Sequence, residues 1–230
     1  MKAVCVKLFL LIFFVSLNNI HSVEITGADI EAFLRGEYNR VFNYYGDISA
    51  IGSVKLNNML VFRLGFSLGN AAGSTVIKTH TSAAITPFPR IPLGFHVIYV
   101  YNGIPDYENH AHTILPLVSF NAARAGISIG PSLRFTSFFD EIAIFEPILS
   151  FSVYFNFIND DKLCIGISVA NFNDFQAKNF GAYSLRFNTA IRLDSSWQII
   201  NELELSQSGG DGFSTVFYGF GWKGGVRYTW

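Results

Sequence analysis

From about Asp29 to Trp230 the dominant period of this chain is two, and that alternation limits it to strands with two unlike faces. Between Gly126 and Phe135, Ile127, Ile129, Pro131, Leu133 and Phe135 share one parity, and Gly126, Ser128, Gly130, Ser132 and Arg134 the other. Leu60, Phe62, Leu64, Phe66 and Leu68 alternate with Val61, Arg63, Gly65 and Ser67. Phe145 to Phe157 places Phe, Pro, Leu, Phe, Val, Phe and Phe at odd positions, with Glu146, Ser150, Ser152 and Asn156 between. Tyr183, Leu185, Phe187, Thr189, Ile191 and Leu193 oppose Ser184, Arg186, Asn188 and Arg192. Half of the 230 residues are hydrophobic, yet after residue 20 there is no apolar run near the ~20 residues that a membrane helix needs. The apolar residues are distributed by period, not by block.

Only 14% of the residues are charged, against about a quarter in soluble domains, too few to cover a water-facing surface. A net charge of −1 excludes the basic face that nucleic acid would require. The N-terminus reads as a secretory signal: Lys2 and Lys7, then Leu8 to Leu17, then a short polar stretch to Ser22. The expected organisation is a signal peptide over 1–22 and one domain over 23–230. Cys5 falls inside the signal, which leaves Cys164 as the only cysteine of the mature chain and no intramolecular disulfide.

Turn signals divide the domain into hairpins. One set of breaks is tight: Asn57-Asn58, PFPRIP at 87–92, NAAR at 121–124, NDDK at 159–162 and Asp194-Ser195-Ser196. The other reads as looser: YYGD at 44–47, GNAAG at 69–73, NGIPDYENH at 102–110, SFFDEI at 137–142, NDFQAKN at 173–179 and SQSGGDG at 206–212. Short turns on one side and longer loops on the other are the habit of transmembrane β-barrels, with the short turns periplasmic and the strand count even.

Which face meets water decides between a soluble sandwich and a membrane barrel. The polar face is mainly Gly, Ser, Ala and Asn with one or two charges per strand, whereas the other is bulky and aromatic. Small polar residues suit a lumen, and Leu, Ile, Phe and Val suit lipid, where a closed barrel pairs every backbone group. Aromatics also fall at strand ends, with Phe120, Phe157, Trp197 and Trp230 near the tight turns and Tyr44 and Tyr101 near the loops. The expected fold is therefore all-β: a closed antiparallel up-and-down transmembrane β-barrel of about twelve strands, with eight or ten as alternatives.

The closing segment alternates Tyr218, Phe220, Trp222, Val226, Tyr228 and Trp230 with Gly219, Gly221, Lys223, Arg227 and Thr229. It resembles the last strand of bacterial outer-membrane proteins, and the chain as a whole resembles the small porin-like members of that class. The resemblance implies a bacterial outer-membrane location among outer-membrane lipids. It also implies that the barrel assembly machinery reads Trp222, Val226, Tyr228 and Trp230 as an assembly signal.

Placing the polar parity inward collects Glu31, Arg35, Glu37, Lys55, Arg63, Lys78, Arg134, Glu146, Arg186, Arg192, Glu202, Glu204, Lys223 and Arg227 in the lumen. Estimated registers bring Arg186 to Glu204, Lys223 to Glu37 and Arg227 to Glu31. Such pairs either staple the barrel, at roughly 0.2–1 kcal/mol each, or form a charged constriction that selects small solutes. The run from Asp106 through Glu108 and His110 to His112 is the one cluster of metal-type ligands, all able to face one side of an extended chain. A solvated loop is the plainer reading, and no metal or cofactor is assigned. His80 and His96 lie on the polar parity, but no Ser–His spacing matches an outer-membrane hydrolase, so no catalytic residue is assigned. The expected function is a narrow, porin-like path for small solutes. The alternatives are a structural or surface-interaction barrel with a plugged lumen and, third, an outer-membrane lipid hydrolase.

Overall fold

The computed structural model describes residues 24–39, 43–87, 91–138, 141–178, 182–208 and 216–230. The segment read as a signal peptide, 1–22, lies outside the described residues. Twelve strands close into one antiparallel barrel. They are β1 (Ile25–Asn39), β2 (Asn43–Leu56), β3 (Leu60–Ala71), β4 (Ser74–Ile85), β5 (Leu93–Ile104), β6 (Asn109–Asn121), β7 (Ala125–Phe138), β8 (Glu141–Asn159), β9 (Leu163–Ala170), β12 (Ala182–Arg192), β13 (Trp197–Ser208) and β14 (Val216–Thr229). Two short strands, β10 (Phe172–Asn173) and β11 (Gln176–Ala177), form a separate hairpin. Each barrel strand pairs with its neighbour in the chain, and β1 pairs with β14 to close the ring.

The period-two pattern becomes an inside and an outside. Leu64, Ile48, Phe66, Phe145 and Phe157 are exposed on the outer face, while Ser49, Ser67, Ser132, Ser150 and Ser184 are buried on the inner one. Exposed apolar side chains around the whole circumference are what a bilayer requires, and closure leaves no unpaired edge. At the end where β1 begins and β14 stops, Trp197, Tyr228 and Trp230 form a run of edge-to-face rings with centroids 4.9 and 5.0 Å apart. At the opposite end Tyr38 and Tyr44 stand 5.4 Å apart on the outer face.

Several turns differ from their sequence reading. Tyr44 to Asp47 does not break the first hairpin but belongs to β2, because the alternation runs straight through it: Tyr45 and Asp47 are buried and Tyr44 and Gly46 exposed. The expected long loop at 69–73 shrinks to 72–73, and of the segment 137–142, Ser137 and Phe138 belong to β7 and Glu141 and Ile142 to β8. At Ala72 and Gly73 the backbone is left-handed (φ 50° and 91°), as it is at Asn57 and Asn58 (φ 49° and 56°) in the β2–β3 hairpin. Two successive left-handed residues match the twist of the flanking strands, so the β3–β4 hairpin turns in two residues, while Met59 adds a third to the β2–β3 turn.

One place in the wall is thin. Pro116 of β6 falls opposite Pro131 of β7, and the ladder between Ile114–Leu133 and Val118–Ile129 is interrupted there. Neither proline has an N–H to give. Gly130 lets the two backbones draw together, since a Cβ at that position would strike the Pro116 carbonyl oxygen.

Candidate functional site: the lumen

Strand parity places every sequence-selected charge on the inner side of the wall. Glu31, Arg35 and Glu37 come from β1, Lys55 from β2, Arg63 from β3 and Lys78 from β4. Arg134 and Glu146 come from β7 and β8, Arg186 and Arg192 from β12, Glu202 and Glu204 from β13, and Lys223 and Arg227 from β14. Lys55 and Arg192 are exposed at the rim where β1 begins. The charges concentrate on one arc, from β12 through β14 and β1 to β4. The opposite arc, β5 to β9, presents Ser119, Ser128, Ser132, Ser150, Ser152 and Ser168, with Val100, Leu115 and Leu117 buried as an apolar cluster.

The registers settle the pairings. Glu31 stands opposite Arg227 across the closing seam, and Arg227 donates from both Nε, at 2.8 Å, and Nη2 to Glu31 Oε1. Arg186 stands opposite Glu204, with Nε 3.3 Å from Oε2, and also faces Glu202 at 3.7 Å. Arg134 and Glu146 face each other at 3.6 Å. Across the closing seam Lys223 falls opposite Arg35, and Glu37, toward which it was expected, lies two residues along β1 opposite Gly221. Asp174 Oδ2 lies 4.0 Å from Lys223 Nζ.

Asp174 belongs to the feature that the sequence reading missed. The segment 173–179 had the polarity of an exterior loop, but Asn171 to Lys178 turns inward and the β10–β11 hairpin lies across the lumen. Asn171 replaces a missing strand partner: its Nδ2 donates to Leu149 O and its Oδ1 accepts from Phe151 N, both at 2.8 Å. The base of the hairpin is closed by Lys178 N donating to Asn171 O at 2.6 Å. At the tip, Phe175 is fully buried against Phe33 and Ile51, with its ring 6.2 Å from that of His80. Gly65 of β3 leaves the room, since a Cβ there would lie 3.1 Å from the Phe175 ring. Phe172 packs on the apolar arc at Val100, Leu115 and Leu117.

Charges pin the hairpin to the opposite arc. Arg63 Nη1 donates to Asp174 Oδ1 at 3.0 Å, and Arg186 Nη2 donates to Phe172 O at 3.1 Å. Lys178 Nζ donates to Ser184 Oγ, Glu204 Oε1 and Ser206 Oγ at 2.6, 3.0 and 2.9 Å. His80 Nδ1 lies 2.5 Å from the Asp174 carbonyl oxygen, which can only accept. That fixes the ring proton on Nδ1 and leaves Nε2 to accept from Ser82 Oγ at 2.9 Å. His80 is thus a positioning group for the hairpin. Asp47, hidden from the sequence reading inside an apparent turn, is buried, accepts from the Tyr45 hydroxyl and from Ser49 Oγ at 2.9 Å, and faces Lys78 at 3.8 Å. Ser53 Oγ donates to Asp29 Oδ2 at 2.5 Å.

These additions change the electrostatic character of the interior. The residues chosen from sequence hold nine cations against five carboxylates; with Lys178, Asp29, Asp47 and Asp174 included the balance is ten against eight. The modest excess of cations among the residues chosen from sequence shrinks to a near balance. Toward the end where β1 begins, a cleft of about 180 Å³ remains, lined by Glu31, Cys164, Asn188, Glu202, Lys223 and Arg227 among others.

The metal-type cluster does not assemble. Pro105–Tyr107 is a short 3-10 turn that breaks the extended geometry on which the shared face depended. Asp106 Oδ2 instead accepts from Thr75 N at 2.9 Å, and His110 and His112 lie on the outer face. Among the described residues no group of three or more His, Cys, Asp or Glu is arranged for a metal ion. Of the residues expected to form an assembly signal, Trp222, Val226 and Trp230 are exposed on the outside of β14 and its end, with Tyr228 half-buried between Trp197 and Trp230. Trp222 Nε1 donates to Asn201 Oδ1 at 2.7 Å.

No family model and no curated protein sequence matches the chain. Solved structures do. The translocator domain of the autotransporter NalP from Neisseria meningitidis superposes with a TM-score of 0.54 at 10% identity, over 99% of this chain and 96% of that one. The NanC porin gives 0.55 at 8% identity, over 86% and 98%. The KdgM porin, solved in complex with disordered oligogalacturonate, gives 0.54 at 11% identity, over 87% and 98%. At these identities the likeness is one of fold. With the closed twelve-strand ring and its apolar exterior, it gives the chain the closed antiparallel β-barrel fold that these outer-membrane proteins have.

Proposed function

We propose that this chain is a narrow channel for small polar solutes in the bacterial outer membrane, its bore set by the inward hairpin at 171–178. The observation that carries the reading is Asp174, reached from Arg63 of β3 and Lys223 of β14, which holds a folded loop across an otherwise polar lumen. A twelve-strand ring leaves an interior wider than the side chains of an eight-strand barrel would fill. The fold shared with two porins supports the reading, as do the polar inner walls. Export through the 1–22 segment and recognition of the β14 aromatics by the barrel assembly machinery belong to the same proposal. The near balance of charge inside favours weak selectivity between ions of either sign over a strong anion preference.

The burial of Phe175 and Phe172 favours a second reading, a plugged barrel that serves as a structural or surface-interaction element. Planar-bilayer recording separates the two. Discrete conductance steps from the purified wild-type protein support the channel. Steps seen only after Asp174→Ala and Phe175→Ala are combined support the plug, and steps from neither protein defeat the channel reading.

A further inference from the structure

On the outer face of β5 and β6, near the rim opposite the chain termini, four rings alternate. Tyr99 faces His112 with centroids 6.1 Å apart, His112 faces Tyr101 at 5.2 Å, and Tyr101 stacks on His110 at 6.0 Å. The phenol oxygens of Tyr99 and Tyr101 each lie 2.8 Å from an imidazole Nδ1, of His112 and His110 respectively. Gly103 makes this possible: Tyr101 lies down over it, and a Cβ there would collide with the phenol oxygen.

The hydrogen bonds decide where the remaining polarity points. A phenol is a far stronger acid than a neutral imidazole, so each tyrosine donates to Nδ1, and the neutral ring keeps its proton on Nε2. A protonated ring carries a proton on Nε2 as well. His112 is exposed and His110 half-exposed, on the side of the wall that meets the bilayer. Hydrocarbon cannot satisfy an N–H donor, and an unsatisfied one costs several kcal/mol at membrane depth.

We propose that His110 and His112, oriented by Tyr101 and Tyr99, form a binding site on the barrel exterior for the phosphate of an anionic lipid headgroup. The two Nε2 donors supply the hydrogen bonds. The facing strands bring no charged side chain to them. On β4 the residues opposite Tyr99, Tyr101 and Gly103 are Thr81, Thr79 and Ile77, and on β7 those opposite His110 and His112 are Ser137 and Phe135. The adjoining turn brings Asp106, Tyr107 and Glu108, of which Asp106 is engaged by Thr75 N.

The test compares the unfolding midpoint of the full barrel in phosphatidylcholine vesicles with and without phosphatidylglycerol. Wild type is expected to gain a stabilising increment from the anionic lipid, and His110→Phe combined with His112→Phe, which keeps the rings and removes the donors, to lose that increment. ¹⁵N signals of the histidine Nε2 atoms in wild type are expected to move on addition of the lipid, a readout that does not depend on how the variant folds. An increment retained in the double variant, Nε2 signals that do not respond, or an equal response to inorganic phosphate in neutral vesicles would overturn the proposal.

Discussion

Asp174 and Arg63, 111 residues apart in the chain, meet inside the barrel at 3.0 Å and hold the β10–β11 hairpin against β3. A hydrogen bond between charged groups contributes about 1.5–3 kcal/mol. Asp174→Asn removes the charge and keeps the shape, so the docked hairpin is expected to lose roughly ten- to a hundredfold in its docking equilibrium. Single-channel recording checks this, with longer-lived high-conductance states than wild type as the expected outcome. Unchanged current records would show that apolar contacts at Phe175 hold the hairpin unaided.

The closing seam rests on a second long-range pair. Glu31 is buried, and removal of Arg227 leaves its carboxylate without the donor that now faces it from β14. The Arg227 side chain is 38% exposed, so the loss is smaller than for a fully buried pair. Arg227→Ala is expected to cost about 2–3 kcal/mol in denaturant unfolding from detergent or vesicles. Combining Glu31→Gln with Arg227→Gln is expected to recover part of that loss, because no buried charge then lacks a partner.

Gly130 is required by the closeness of two backbones at the proline-interrupted seam. Gly130→Ala is expected to destabilise the barrel by about 1–3 kcal/mol, the range for a forced backbone shift. Gly36→Ala is the control, since a Cβ there meets nothing within 4 Å. Equal unfolding midpoints for the two variants would refute the close-approach reading.

Asp160 organises the β8–β9 turn through hydrogen bonds from the backbone N–H groups of Lys162 and Leu163, at 2.9 and 2.7 Å. Those bonds lower its pKa from the ordinary 3.8. A lowered pKa in the folded state means that the stabilisation is fully present above the ordinary value and is lost as pH falls through the folded one. Acidification below about pH 4 is therefore expected to lower the protection of the Lys162 and Leu163 amides relative to their intrinsic exchange rates. Asp160→Ala is expected to show fast exchange at those sites already at neutral pH.

How much of this was legible depends on whether a residue's environment was local. Parity is local: Ile127 and Ser128 announce opposite faces by being adjacent, and the same logic placed Arg186 beside Glu204. Glycine and aspartate misled where they usually signal turns. Gly46 and Asp47 continue β2, so Asp47 was never considered for the interior, although its parity with Tyr45 and Ser49 would have found it. The hairpin was beyond reach for another reason. Phe175 stands alone in a polar segment with no period, and the pocket that accepts it is assembled from Phe33, Ile51, Gly65 and His80, on four strands that no local pattern connects.

The hairpin's anchors lie far apart in the order of synthesis. Arg63 and His80 come early in the chain, Arg186 and Glu204 late, and Lys223 on the final strand. A loop held by both ends of the polypeptide gains its full set of anchors only once the last strand has joined the first. The hairpin thus couples the interior to the closure of the wall: whatever opens the seam between β1 and β14 also takes one hold from the loop.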